Sequence, residues 1–401
     1  MPRFHFCVLL LSCLLVPFMA SGQWSQTSRS INDSVITGIT SDAIDVYASS
    51  RSHGILRSDD FGQTWFHSDS GLASVHITCL ASNLQNLFAG TEGSGVFVSG
   101  DQGQTWLPFN SGLQDTIIRV LCMIDAAIYA GTDSGGIYKY SGVGDQWTNR
   151  TIPSCAGHIT DLIKSPDFIF ASTTSGIFRT RNDGLTWDSC NSGLQTRMVL
   201  CLSNIGSIIF AGTQYGGIFV SQDQGSSWTA VNHGLTSYYI SQLCQSDSNV
   251  FAATHGSGFF WSGDLGGTWK EANEGYYEGN INILSVIPPY IFAAMDTSGI
   301  WKRKLSDFSA SSVPAFTANQ SFSIFPDNLS PGHIIIQSDL DAPFTGNIEL
   351  FSISGCKIFS HSCKMLQHSR NEIQLPQVSP GLYFLTLSGD HLTLTYKLSL
   401  R

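Results

Sequence analysis

Three carboxylates in this chain fall at one recurring position. Gly54, Gly95, Gly136, Gly176, Gly217, Gly258 and Gly299 follow one another every 40 or 41 residues. The residue three before each is Arg51, Glu92, Asp133, Thr173, Gln214, His255 and Asp296. Two carboxyl groups about 5–10 Å apart are the machinery of glycoside hydrolysis, one as acid and one as base or nucleophile. Glu92 and Asp133 are neighbours in this series and are the candidate catalytic pair. A second set, Tyr215, Tyr238, Tyr239 and Tyr277, offers aromatic faces that stack on sugar rings or protein side chains. With Arg51, Glu92, Asp133, His255 and Asp296 supplying polar contacts, these form the candidate binding surface. The chain has no Gly-x-Ser-x-Gly elbow, no His-Glu-x-x-His and no phosphate loop. His158 and His255 are isolated in the sequence, so the pattern calls for no metal and no cofactor.

The elements that must position these residues are equally periodic. Trp65, Trp106, Trp147, Trp187, Trp228 and Trp269 are spaced by 40 or 41 residues. Each closes a variant of the phrase Ser58-Asp59-Asp60-Phe61-Gly62-Gln63-Thr64-Trp65. The third copy has Gly142 where the Asp belongs, and the fourth has Asn182. The seventh repeat has its glycine, Gly299, but Ala310 stands where its tryptophan is due; Trp24, 41 residues before Trp65, is the missing one. A ring explains this phase: the N-terminal strand completes the last repeat. Each repeat reads as four short strands separated by Gly/Ser/Asp turns. The expectation is an all-β fold, a seven-bladed β-propeller over residues 23–305. The loops between second and third strands, and those between blades, then gather at one end of the central channel. They add His76, His158, Arg197, Tyr276 and Glu278 to that face.

The repeated phrase resembles the Asp-box, or BNR repeat, of sialidase-type propellers. The same box occurs in xyloglucan-active glycosidases, photosystem II assembly-factor-like propellers and sortilin-type receptors. The physics of the phrase gives Asp60, Asp101, Asp223 and Asp264 a structural role. Their carboxylates can accept turn amides, the glycine takes positive φ, and the tryptophan covers the core. Sialidases need an arginine cluster opened by Arg-Ile-Pro; Arg150-Thr151-Ile152-Pro153 carries an inserted residue and lies mid-ring.

Beyond the ring, residues 306–320 read as a linker and 321–401 as a small β-sandwich domain. This tail resembles the C-terminal sorting domain of the type IX secretion system. The likeness rests on Phe325-Pro326, on Leu350-Phe351-Ser352-Ile353-Ser354-Gly355-Cys356-Lys357, and on Pro380-Gly381-Leu382-Tyr383. At the other end, residues 1–22 read as a signal peptide, with an apolar Phe4–Met19 run before Ala20-Ser21-Gly22. No later stretch reaches 18 apolar residues, so the mature chain has no expected transmembrane segment. Eight cysteines remain after the leader, several inside apolar strand runs where a buried free thiol is expected.

Charged residues are only 12% and the net charge is −10, which leaves no basic footprint for nucleic acid. The sequence thus predicts a protein that is secreted or on the cell surface, handled by the type IX machinery. Its expected function is noncatalytic binding of a glycan or an extracellular protein. The alternatives are a glycoside hydrolase using Glu92 and Asp133, and an assembly factor for another exported protein.

Overall fold

Every blade begins with the same local event. Its innermost strand opens on Ile or Val, and the register with the second strand then slips by one residue. Such a bulge inserts one unpaired residue and re-aims its side chain. The seven bulged residues are Thr37, Thr78, Arg119, Thr160, Leu200, Ser241 and Asn282. The computed structural model that shows this describes residues 23–27, 35–42, 44–72, 76–83, 85–153, 157–276, 280–296 and 299–308. In the tail it describes 322–326, 333–338, 344–352, 357–365, 370–376, 381–389 and 392–400. The signal peptide, most of the expected linker, Tyr277, Glu278, Gly355 and Pro380 lie outside these residues.

Seven four-stranded antiparallel sheets form the ring. Blade 1 runs through Ile36–Ser41, Val46–Ser50, Gly54–Ser58 and Phe66–His67, and blades 2 to 6 repeat the plan. Blade 7 supplies Ile281–Ile287, Tyr290–Met295 and Gly299–Lys304, and takes its fourth strand from β1 (Ser25–Gln26). Ser25 pairs with Lys302 and Gln26 with Trp301, so the N-terminal strand closes the ring as the phase of the repeats requires. Because consecutive strands are antiparallel, the 2–3 loops and inter-blade loops share one face, and the Asp-rich turns share the other.

The second strand of every blade carries an aliphatic–aromatic–Ala triplet, from Val46-Tyr47-Ala48 to Ile291-Phe292-Ala293. The aromatics Tyr47, Phe88, Tyr129, Phe170, Phe210, Phe251 and Phe292 are all buried. Several reach the Asp-rich turn of the next blade. Tyr47 donates to Gln102 O at 3.2 Å, and Tyr129 to Asp183 Oδ1 at 2.5 Å. Gly225 shows why that turn needs glycine: at φ 84° it sits where a Cβ would lie 2.8 Å from the Phe170 ring.

The turn itself is held by its acidic residue. Asp60, Asp101, Asp223 and Asp264 accept the backbone amides of Thr64, Thr105, Ser227 and Thr268 at 2.8–2.9 Å. The Thr105 hydroxyl and amide, with Ser99, pull the Asp101 carboxyl down to about 2. Asn182 makes the same amide contact, to Thr186 N at 2.9 Å, without a charge. The third turn lacks the carboxylate and is instead braced by Tyr140 OH donating to Asp145 Oδ1 at 3.1 Å.

The tryptophans tie blade to blade. Trp106, Trp147, Trp187, Trp228 and Trp269 donate their indole N–H to Ser68, Phe109, Arg150, Cys190 and Val231 carbonyls of the preceding blade, at 2.7–2.8 Å. Trp24 continues the series, donating to Ala272 O at 2.8 Å. Trp65 departs from it and donates to Gly62 O within its own turn.

The seventh blade replaces its missing turn with a 3-10 helix, Leu305–Phe308. Phe308 is fully buried against Phe251, Phe259 and Trp261. Residues 306–308, expected to open a linker, therefore finish the propeller, because the Phe251 ring needs a cover. The tail forms two antiparallel sheets, as a small β domain should. Phe322–Pro326, His333–Ser338 and Arg370–Gln374 make one; Lys357–Met365, Phe344–Ser352, Gly381–Gly389 and Leu392–Leu400 make the other. Alternate residues Ile348/Leu350 and Tyr383/Leu385 are buried.

If the indoles clasp the ring, their loss must be unequal. Trp106→Ala and Trp24→Ala should each cost about 3–5 kcal/mol in denaturant unfolding. Trp65→Ala, which breaks no inter-blade bond seen here, should cost clearly less. Equal losses at all three sites would contradict this account.

Candidate functional site

One backbone contact fixes the loop face identically in all seven blades. The residue after the second strand donates to the residue before the first. Arg51, Glu92, Asp133, Thr174, Gln214, His255 and Asp296 N–H groups meet Val35, His76, Ile117, His158, Met198, Tyr239 and Asn280 carbonyls at 3.0–3.3 Å. Six of these are the residue three before the landmark glycine; in the fourth blade it is Thr174 and not Thr173. Thr173 is the last residue of its strand, fully buried, with its Oγ1 donating to Gly176 O. The fourth blade's loop is one residue shorter, so Thr174 takes the loop register.

Asp133 does not stand free. Its Oδ1 accepts Arg119 Nε at 2.7 Å and Nη2 at 2.5 Å, and His158 Nδ1 lies 3.2 Å away. The same histidine nitrogen is 2.7 Å from Asp133 O. Beside it, Asp115 accepts the Ser134 hydroxyl at 2.5 Å and Ile117 N at 3.0 Å. Asp296 is likewise occupied, by the Asn280 amide at 2.9 Å and by Asn282. Glu92 and Arg51 are exposed, and among the described residues their side chains make no ion pair or hydrogen bond.

Arg119 and Asn282 both come from the bulge position. Sequence reasoning passed over them because the bulge cannot be seen without its partner strand. Read around the ring, the series Thr37, Thr78, Arg119, Thr160, Leu200, Ser241, Asn282 carries the signal.

Three of the aromatic candidates, Tyr215, Tyr238 and Tyr239, lie together. Tyr215 stands edge-on to Tyr239 with ring centres 6.2 Å apart, and Tyr239 tilts against His255 at 4.8 Å. Tyr238 flanks them, its carbonyl accepting Gly217 N at 3.0 Å. Tyr215 is 72% exposed and Tyr238 51%. Tyr276, on the blade 6–7 connection, is instead half-buried edge-on to Trp301, and burial, with Asp296 nearby, pushes its hydroxyl up to about 12.

Two further groups lie in the seams. Asp161, on the inner strand of blade 4, accepts Leu202 N of blade 5 and Leu162 N, each at 2.8 Å. Burial pushes its carboxyl up to about 6, against the pull of those two amides. Cys79, Cys122, Cys190, Cys201 and Cys244 are free thiols. Burial pushes those of Cys79, Cys122 and Cys190 up to about 12, which makes them poor nucleophiles. Among the described residues no cluster of three His, Cys, Asp or Glu is placed to hold a metal, and no helix is long and apolar enough to cross a membrane.

Residues 323–401 match the family described as secretion system C-terminal sorting domain. The tail is a type IX sorting domain. With that domain attached, the propeller is cargo for type IX export, either secreted or held at the cell surface. No curated protein sequence matches the chain. Among solved structures, YCF48 from Cyanidioschyzon merolae matches at 15% identity and a TM-score of 0.57, over 70% of this chain and 98% of that one. PorZ, a surface component of the type IX system of Porphyromonas gingivalis, matches at 12% and 0.56, over 93% and 60%. The extracellular domain of a putative hybrid two component system from B. thetaiotaomicron matches at 10% and 0.59, over 94% and 57%. At these identities the likeness is one of fold.

Two outcomes follow. A carboxyl raised from 3.8 to about 6 keeps a proton in the folded chain that the unfolded chain has released. Stability should therefore fall as pH rises through that window. Asp161→Asn should flatten the unfolding midpoint between about pH 4 and 6; an unchanged slope would place its source elsewhere. Separately, deletion of residues 321–401 should strand the sorting-domain-less propeller in the periplasm, and its normal appearance at the surface by cell fractionation would contradict the role of the tail.

Proposed function

We propose that this exported propeller is a noncatalytic binding protein whose loop face meets a glycan or an extracellular protein. One contrast carries the reading. The face displays exposed Tyr215 and Tyr238 beside the Tyr239–His255 pair, while two of its carboxylates are already engaged. Asp133 is bound by Arg119 and His158, and Asp296 by Asn280 and Asn282. A hydrolase needs one carboxyl group free to give a proton and another free to attack or to activate water. Glu92 is free among the described residues, but its partner in the catalytic series, Asp133, is not. Exposed tyrosines on backbone-pinned loops are the usual stuff of recognition.

A second reading has one observation behind it. A structure of "YCF48 bound to D1 peptide" shares this fold at 18% identity and a TM-score of 0.59. A propeller of this kind holding a peptide of another exported protein would be an assembly factor.

The test is incubation of the purified protein with polysaccharides and sialylated glycans, assayed for released sugar, then for retention on the same ligands and on envelope proteins. The expected result is no release, with retention weakened about tenfold or more by Tyr215→Ala. Sugar release that disappears in Glu92→Gln or Asp133→Asn would overturn the binding reading and make the protein a glycoside hydrolase.

A further inference from the structure

The seven seams between blades differ at the loop-face end of the channel. In four of them the bulged residue throws a hydroxyl across to the next inner strand. Thr37 donates to Ile77 O at 2.7 Å, Thr78 to Ile118 O at 2.5 Å, Thr160 to Val199 O at 2.7 Å and Ser241 to Ile281 O at 2.5 Å. Arg119, Leu200 and Asn282 break the series. Arg119 and Asn282 turn back to carboxylates of their own blades, Asp133 and Asp296. Leu200 has no polar atom to offer in either direction. Over that one seam, between blades 5 and 6, stand Tyr215, Tyr239 and His255.

We infer that the seam between blades 5 and 6 is a binding site for an uncharged carbohydrate, with the Tyr215 ring as its stacking platform. This rests on the loop-face binding reading and names the ligand class for it. Three observations bear on the chemistry. The loops that form the site, residues 190–198, 214–217, 231–239 and 255–257, contain no carboxylate and one permanent charge, Arg197. The chain as a whole carries −10. A cationic ligand finds no counter-charge in the site, and an anionic one meets a single exposed arginine on a negative molecule. A neutral ligand is opposed by neither.

The second observation is geometric. The contact with Tyr239 is edge-on, at 86°, so Tyr215 is braced without a second ring stacked flat upon it, and it stays 72% exposed. An electron-rich aromatic face of this kind suits the polarised C–H groups on one side of a sugar ring. Gln214, the tyrosine hydroxyls and His255 supply donors and acceptors for sugar hydroxyls at the rim.

The third is that the site is already set. Gly217 N donates to Tyr238 O, His255 N to Tyr239 O, and Ser237 Oγ to His255 O, all at 2.9–3.0 Å. The loops thus need little ordering when a ligand arrives, which is where weak sugar contacts gain most.

The experiment uses the full protein on an immobilised panel of neutral oligosaccharides (glucans, mannans, galactans and N-acetylglucosamine oligomers), sialylated and sulfated glycans, and envelope proteins. Wild type is compared with Tyr215→Ala, Tyr215→Phe and Glu92→Gln, each checked for an unchanged melting temperature. The inference expects retention on at least one neutral glycan, lost about tenfold or more in Tyr215→Ala and kept within about threefold in Tyr215→Phe. It also expects the affinity to hold between about 50 and 500 mM salt, where screening would erode a charge-based contact.

Retention on no neutral glycan, on charged glycans alone, or with steep salt dependence would overturn it. Binding of an envelope protein that Tyr215→Ala abolishes would sink the carbohydrate inference and leave the loop-face reading intact. Ligand binding to which Tyr215→Ala and Glu92→Gln are both indifferent would sink the loop-face reading itself.

Discussion

Each blade of this propeller is finished by its neighbour. In six of the seven blades the indole N–H reaches a carbonyl of the blade before it, and second-strand aromatics such as Tyr47, Phe170 and Phe210 are covered by the turn of the blade after them. Apart from Trp65, whose indole bonds within its own turn, these groups are satisfied across the seam between blades. An indole donor without an acceptor, or a phenyl ring left against water, would cost about 1–3 kcal/mol each. Repeated around a ring, that dependence sets the spacing of the tryptophans, the glycines of the turns and the need for a covering element in blade 7. On the loop face the recurring hold is a backbone bond, so side chains there can vary without loosening the frame.

Much of this was written in the sequence at the level of period. Tryptophans and glycines every 40 or 41 residues are enough to count blades, and the displaced Trp24 is enough to say how the ring closes. The aliphatic–aromatic–Ala triplet keeps the same beat and was legible too, though Tyr stands for Phe in two blades and hides it from a search for one letter. Asn110, Asn191, Asn232 and Asn273 are a further beat of this kind. Their side-chain oxygens accept Val96, Ile177, Ile218 and Phe259 N–H at 2.7–2.8 Å. Each also lies where a Cβ on the landmark glycine would stand, 2.2 Å from Asn110 Oδ1 in the case of Gly95. Phe308 was not legible, because a 3-10 helix standing in for a turn has no repeat to announce it.

The site divides along the same line. Whatever follows the backbone period, such as the loop register holding Glu92, Gln214 and His255, could be read by counting, and counting failed only where the fourth blade dropped a residue. Who partners whom could not. Asp133 and Arg119 lie 14 residues apart and meet because a bulge turns one side chain toward the other. The position of Asp161 is likewise invisible in one strand, since its amide partner Leu202 belongs to the next blade.

The closing strand bears on how the chain reaches this state. Trp24 and β1 make their contacts with residues 272–302, some 250 positions away, whereas blades 1 to 6 complete themselves from contiguous sequence. Contacts so distant carry the largest loop-closure entropy and form late. As the chain is made from its N-terminus, the first segment of the ring must wait, unpaired, until the last blade has emerged. The order of synthesis therefore makes this clasp the final act of propeller folding, and keeps an open, unlatched chain in existence until the whole of the seventh blade is present.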